Sequence, residues 1–206
     1  MKNLLSQAVM LFLLVAFGAP VFAQPTIVTT DMLVDDLASA EDARQVRARQ
    51  MLPLRGAEVA AKMVPLLNDD RDVVSFAALR VLEDVIHEAT RSSEIDKEIV
   101  AQAVFALVAP TSSEKQKKIG LRLLPLVVQE SHDLSPVAAL LMDATLREPA
   151  RAALANMQTK NATAALCAAL PKAEESFQID ILRALFLCDL SDQTSVLMPL
   201  LESASP

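Results

Sequence analysis

Two histidines, two cysteines and several clustered carboxylates are the residues of this chain whose types and spacing bear on chemistry. His87 is followed by Glu88, and His132 by Asp133. Imidazole beside carboxylate ligates a transition metal when several such pairs converge. Here the imidazoles stand on separate elements and form a thin ligand set, so a solvated helix end is expected at His87-Glu88 and no metal. Asp69, Asp70 and Asp72, with Asp35 and Asp36, are dense enough to suggest cation ligands, yet their spacing does not fit a calcium loop. Helix capping accounts for the first group, because carboxylates accept the free N–H groups of a helix start. No Gly-rich phosphate loop is present, and no Ser or Cys sits in a nucleophile elbow. The expected catalytic, cofactor-binding and metal sets are therefore empty. Asn161-Ala162-Thr163 matches a glycosylation acceptor but reads as a helix start.

Cys167 and Cys188 fall on two helical patterns joined near Pro171 to Ser176. If those helices are antiparallel neighbours, Cys167 lies about one turn from the junction and Cys188 more than three turns away. At 1.5 Å per residue the axial mismatch is on the order of 10 Å, beyond the ~7 Å that a disulfide spans between Cα atoms. Two buried thiols are expected.

The elements that would carry these residues begin after an N-terminal segment of another kind. Lys2 opens it, Leu4 to Val21 is almost wholly apolar, and Val21-Phe22-Ala23 precedes Gln24-Pro25. That pattern predicts a signal peptide over 1–23, cleaved after Ala23. The apolar run is broken by Gly18 and Pro20 and is shorter than the ~20 residues of a spanning helix, although an uncleaved anchor is the competing reading. Export to the periplasm or outside the cell is expected. Residues 24–40 read as a flexible linker, polar at Thr26, Thr29, Thr30, Asp31, Asp35 and Asp36, with too few apolar residues to repay ordering.

The 206 residues carry 26 acidic against 19 basic side chains, a balance that opposes general nucleic-acid binding. There is no Trp or Tyr and only 3 Gly, which suits a sheet poorly and helices well. Helical periodicity is expected over 41–52, 57–67, 72–88, 93–108, 113–129, from 135, to 157, 161–170, 176–190 and 193–203. Thr111-Ser112-Ser113-Glu114 fits a capping box, Ser135-Pro136 a cap with Pro at the first position, and Pro65, Pro125 and Pro199 should kink their helices.

An internal repeat runs through these helices. Ala78-Leu79-Arg80-Val81-Leu82, Gly120-Leu121-Arg122-Leu123-Leu124 and Ile181-Leu182-Arg183-Ala184-Leu185 align, with Ala153-Leu154-Ala155-Asn156-Met157 a weaker copy. The steps of roughly 28 to 42 residues bracket the period of helical-pair arrays. Met63 to Leu82, with its Pro65-Leu66-Leu67 ending, Asp-rich turn and second helix opening on Val73-Val74, resembles a HEAT repeat. Poorer copies cover Leu166 to Leu190, and Met198-Pro199-Leu200-Leu201 resembles a first helix. The resemblance implies an all-α solenoid of about four to five HEAT-like helix pairs over 41–206. Ser75 stands where that family usually has an Arg that pairs with the turn Asp.

The resemblance implies neither of two HEAT-like activities. HEAT-like hydroxylases use several converging His-Glu pairs, and HEAT-like DNA glycosylases use aromatic side chains in a basic cleft. A non-catalytic scaffold for a protein partner is expected, with a HEAT-like lyase-type enzyme or small-ligand binder as the alternative. Turning the aligned second helices at 100° per residue buries Val74, Ala78, Leu82 and Val85 and leaves Phe76, Arg80, Glu83 and His87 outside. The same frame turns Lys118, Arg122, Arg151 and Arg183 outward. If second helices line the concave side, Arg80, Lys118, Arg122, Arg151 and Arg183 form a cationic stripe for an anionic partner. The competing reading is a set of solvated side chains whose charges meet nearby acids such as Glu83.

Overall fold

The computed structural model describes residues 27–188 and Leu190. The expected signal peptide, the start of the expected linker and the expected helix over 193–203 lie outside the described residues. Within them the chain is helical without a strand, and ten α-helices follow one another with short 3₁₀ turns between some of them.

Against the expected linker, Thr30–Leu37 forms a first helix, α1, capped where the Thr29 hydroxyl accepts from Met32 N–H at 3.2 Å. Leu33 and Leu37, four residues apart, are fully buried. Three of the polar residues that argued for disorder, Thr29, Asp31 and Asp36, hold the helix in place instead. Asp36 is buried and its carboxylate binds Arg44 and Arg47 on α2, Asp42–Met51. Asp31 pairs with Lys62 at 2.6 Å. The chain then passes a 3₁₀ turn, Pro53–Arg55, and Gly56, whose φ of +98° is one that residues with a Cβ rarely adopt.

Next come α3, Val59–Leu66, and α4, Asp72–Ala89. Pro65 lies in the last turn of α3, where few carbonyls lose a partner. Val64 C=O, unable to find an intrahelical donor so close to the end, accepts from Gln116 Nε2 at 3.2 Å. In the following turn Asp69 accepts from Arg71 N–H and from its guanidinium at 2.9 Å. Helix α4 buries Val74, Ala78, Val81, Leu82, Val85 and Ile86 along one side, each branched side chain contributing about 1.5–3 kcal/mol of transfer energy.

Helix α5, Glu94–Ala106, starts on Ser93, which accepts from Asp96 N–H. Helix α6, Glu114–Leu123, starts on a reciprocal capping box between Ser113 and Gln116. It does not reach Gln129 as expected. Pro125 has no N–H for the turn before it, and the chain leaves α6 through a 3₁₀ turn, Leu124–Leu126. Helices α7, Ser135–Ala139, α8, Arg147–Met157, α9, Lys160–Ala169, and α10, Glu175–Leu185, complete the described chain. α8 ends on Gln158 in the left-handed region, φ 52°.

Neighbours in sequence pack as pairs: α1 on α2, α3 on α4, α5 on α6, α7 on α8 and α9 on α10. Odd helices also meet odd ones, α3 with α5 and α7 with α9, and even helices meet even ones, α2 with α4, α6 with α8 and α8 with α10. A single buried cluster runs from Leu33 to Leu185 through every pair.

Polar bonds tie the pairs laterally. Ser113 Oγ donates to Asn68 Oδ1 at 2.9 Å, and Lys115 Nζ donates to Ser75 Oγ at 3.1 Å. The hydroxyl of Ser75 thus takes part in a link to the next pair. Arg147 pairs with Glu174 at 3.1 Å and lies 5.1 Å from the centroid of the Phe177 ring, joining α8 to the start of α10.

Gly120 lies where α6 passes close to the end of α5. A Cβ there would stand 2.8 Å from Leu107 Cβ and 2.9 Å from Val108 Cγ1. Gly120→Val should cost about 1–3 kcal/mol by overpacking, read as a shift of the denaturant midpoint at unchanged slope. An unchanged midpoint would mean that the two helices separate freely. Asp36 supplies a second test. The Arg47 and then the Arg44 guanidinium hold its carboxyl below the ordinary 3.8. A depressed carboxyl pKa stabilises the fold above the unfolded value and ceases to do so as pH falls through the folded one. Asp36→Asn should lower the melting temperature near neutral pH, and the gap from wild type should close as pH drops below 3.8. A gap that persists at low pH would assign the loss to packing rather than to charge.

Candidate functional site

The five cations expected to form a stripe all occur on even helices, but none stands bare. Arg80 and Arg122 share one carboxylate: Arg80 Nη1 donates to Glu83 Oε2 and Arg122 Nη2 to Glu83 Oε1, both at 2.9 Å. Lys118 pairs with Glu114 at 2.6 Å, Arg151 with Glu148 at 3.0 Å and Arg183 with Asp180 at 3.1 Å. Four of the side chains are half or more exposed, whereas Arg151 keeps only 23% of its surface. The row consists of ion pairs whose cations outnumber their acids only at Glu83. The structure brings Arg80 and Arg122 together through that residue. Lys118, Arg151 and Arg183 each bind an acid on their own helix.

Around the Glu83 pair the surface is shaped. A groove of about 420 Å³ lies between α2 and α4 and is lined by Val46, Arg49, Leu54, Arg80, Asp84 and His87, among others. On the other side of α4 a wider groove of about 620 Å³ is lined by Glu83, Ile86, His87, Arg122, Leu123 and Leu126. His87 borders both, so the outward ridge of α4 stands between two open grooves. Apolar side chains remain uncovered at the rims: Leu54 is 81% exposed and Leu126 58%. The turn of α4 that places Val74, Ala78, Leu82 and Val85 inside and Phe76, Arg80 and His87 outside agrees with the helical frame, and Glu83 is half-buried. Val46, Leu54 and Leu126 escaped sequence reasoning because single apolar residues in a charged helix or beside a proline carry no periodic signal, and Arg49 because it is one of several charges on that helix.

His87 sits exposed near the end of α4, and its ring has no hydrogen-bond partner among the described residues. His132 is placed differently. Its ring is largely buried, accepts from Gln129 N–H at Nδ1 (2.8 Å) and donates from Nε2 to Glu98 (2.9 Å), with Phe105 edge-on at 5.3 Å. That bonding assigns the Nε2–H tautomer and gives the ring the role of a fastener between the loop after α6 and helix α5. Glu98 is held below its ordinary value first by His132 and then by Gln102. Among the described residues, no group of three or more His, Cys, Asp and Glu side chains is placed to hold a metal ion, and no helix is long and apolar enough to cross a membrane.

Asp69 is lowered to about 2 by the Arg71 guanidinium and backbone, which marks it as an ion-pair carboxylate of the turn. Asp36 likewise belongs to the ion pairs of α1 and α2. Asn161 lies in the first turn of α9, where its amide donates to Glu130 C=O at 2.7 Å.

Both cysteines are free. Cys167 is buried in α9, and burial, then the nearby Cys188, pushes its thiol up. Cys188 is half-buried rather than buried as expected, because it lies just beyond the last turn of α10. Comparison with protein-family models, curated proteins and solved structures finds no match to this chain.

The difference between the two thiols is measurable. A maleimide added to native, unreduced protein should label Cys188 well before Cys167, and denaturation without reductant should expose both. No free thiol in the denatured, unreduced sample would show a disulfide and overturn the assignment.

Proposed function

We propose that this chain is an exported, non-catalytic scaffold: an α-solenoid of about four to five HEAT-like helix pairs whose even helices present their outer faces to a protein partner. One observation carries the reading, namely the ridge of Arg80, Glu83 and Arg122 standing between two open grooves with apolar rims. Support for the solenoid comes from the pairwise packing of neighbours, the even-to-even contacts and one core running through all pairs. The case for export rests on the N-terminal sequence pattern alone.

On this reading Arg80, Lys118, Arg122, Arg151 and Arg183 form the partner-facing row. Exposed ion pairs are worth about 0–1 kcal/mol, so an anionic partner can exchange its carboxylates for the internal ones at little cost. Affinity would come from the apolar rims, with the charges setting register and on-rate.

A second reading, a lyase-type enzyme or small-ligand binder, has one observation in its favour. The groove of about 420 Å³ falls in the size range of ligand pockets and carries Arg80, Asp84 and His87. It lacks a base oriented by a third group, because the His87 ring has no partner among the described residues.

Capture of partners by the tagged protein from its own envelope fraction tests the scaffold. Charge reversal at Arg122 and Arg183 should leave helicity and melting nearly unchanged while reducing capture, most strongly at low salt. Capture that is unaltered across a range of salt would sink the row, and loss of folding would make these residues structural.

A further inference from the structure

Glu83 joins two helix pairs. It lies on α4, yet it receives guanidinium N–H groups from two different helix pairs, Arg80 on α4 and Arg122 on α6. Arg side chains exposed by 54% and 57% flank a carboxylate exposed by 27%. Each guanidinium has several N–H donors and commits one of them to Glu83. Within the Arg80–Glu83–Arg122 cluster one carboxylate meets two guanidiniums, and the next acids, Asp84 and Glu88, line the other groove. The same Glu83 and Arg122 line the wider groove with His87 and Thr90, and its apolar part is Ile86, Leu123 and the uncovered Leu126.

We propose that Arg80 and Arg122 form a clamp for a carboxylate of the partner, and that Glu83 acts as a built-in competitor holding the clamp in shape until the partner arrives. The occupant is an amphipathic peptide segment with an acidic side chain for the clamp and an apolar side chain one helical turn away for the groove beside Leu126. Charge complementarity selects it: a basic segment would meet two guanidiniums, and a purely apolar one would leave their excess charge unmatched. The inference rests on the scaffold reading and narrows it to one place and one ligand chemistry. Releasing Glu83 costs little because half-exposed ion pairs are weak, and the partner's carboxylate restores what is lost. Specificity then comes from the pairing of charge with apolar contact, since neither alone distinguishes this groove from the rest of the surface.

The test uses purified full-length protein and two synthetic amphipathic peptides, one with Leu and Glu at i and i+4 and one with Gln in place of that Glu. Binding is followed by anisotropy of labelled peptide and by amide shifts of the protein. The Glu peptide should bind more tightly than the Gln peptide. Glu83→Gln should tighten the Glu peptide by roughly fivefold and leave the Gln peptide unchanged. Arg122→Gln should erase the difference between the peptides, Leu126→Ser should weaken both, and Lys172→Gln, at an exposed cation outside the row, should alter neither. Circular dichroism melts confirm that each variant is folded. Equal binding of the two peptides, or no response to Glu83→Gln, would overturn the clamp. Should envelope capture still fall on reversal of Arg183 in that case, the clamp is wrong and the scaffold stands. If the peptides discriminate as expected while capture ignores every charge, the clamp stands and the scaffold row falls.

Discussion

Short helices need neighbours, and every other feature of this molecule follows from that need. The described α-helices run from 5 residues in α7 to 18 in α4, and helices shorter than ~12–15 residues are marginal on their own in water. Stability must come from apolar sides buried against other helices. An isolated pair covers only part of each side, so contacts extend to the next pair. The uninterrupted cluster from Leu33 to Leu185 is the result. Small residues make it feasible: Ala60, Ala77, Ala78, Ala101, Ala150 and Ala153 are buried, and Gly120 lets α6 come within contact of Leu107. A core of this kind has little slack, because a small position enlarged has no cavity to expand into.

Close packing of short helices brings many helix ends together, and their free backbone groups must be satisfied. The chain answers with side chains borrowed across pairs. Gln116 completes its own capping box and also takes Val64 C=O, Arg71 reaches Ala38 C=O at 2.8 Å, and Glu130 receives Lys160 N–H at 3.0 Å. Each of these bonds fixes the lateral register of two pairs that apolar contact alone would leave free to slide. Ser75 and Asn68 act in the same sense, while His132 fastens the loop after α6 to α5 within one pair. A chain rich in Ala and Leu can thus adopt one arrangement rather than a family of similar ones.

Much of this was legible in the sequence, for identifiable reasons. Most helix positions followed from caps and from the spacing of Val and Leu, and the side of α4 that faces inward could be read at 100° per residue. What failed was context. The stretch before Asp42 looked too polar to fold because Asp36 was counted as a solvated residue. Its partners Arg44 and Arg47 lie on the next helix, and the ion pairs turn a charge into a buried anchor. Arg80, Lys118, Arg122 and Arg183 are exposed and Arg151 is half-buried, and arginines one helix pair apart can share an acid, which a single helix cannot reveal. Glu83 was placed on the outer face, and nothing in one chain's periodicity could say that Arg122, 39 residues on, would reach it. The rim residues were illegible for the opposite reason, since their exposure is set by the ends of elements and not by their period.

The wider groove shows how a local backbone constraint becomes a surface. Because Pro125 offers no N–H, α6 cannot continue, and the chain turns through Leu124–Leu126. The turn carries Val127 into the core and leaves Leu126 facing out, 8% and 58% exposed. Had helical rotation continued to Gln129, the side facing α4 would have been a regular helix surface with its ridges seated against the neighbour. The early stop opens a recess beside the last turns of α4, and Arg122, one turn before the break, is left at its edge with its guanidinium free to swing toward Glu83. The ion pair and the groove therefore have one origin in the chain, the proline that ends α6. A residue that costs the helix a hydrogen bond thus sets an exposed ion pair beside uncovered apolar surface at Leu126.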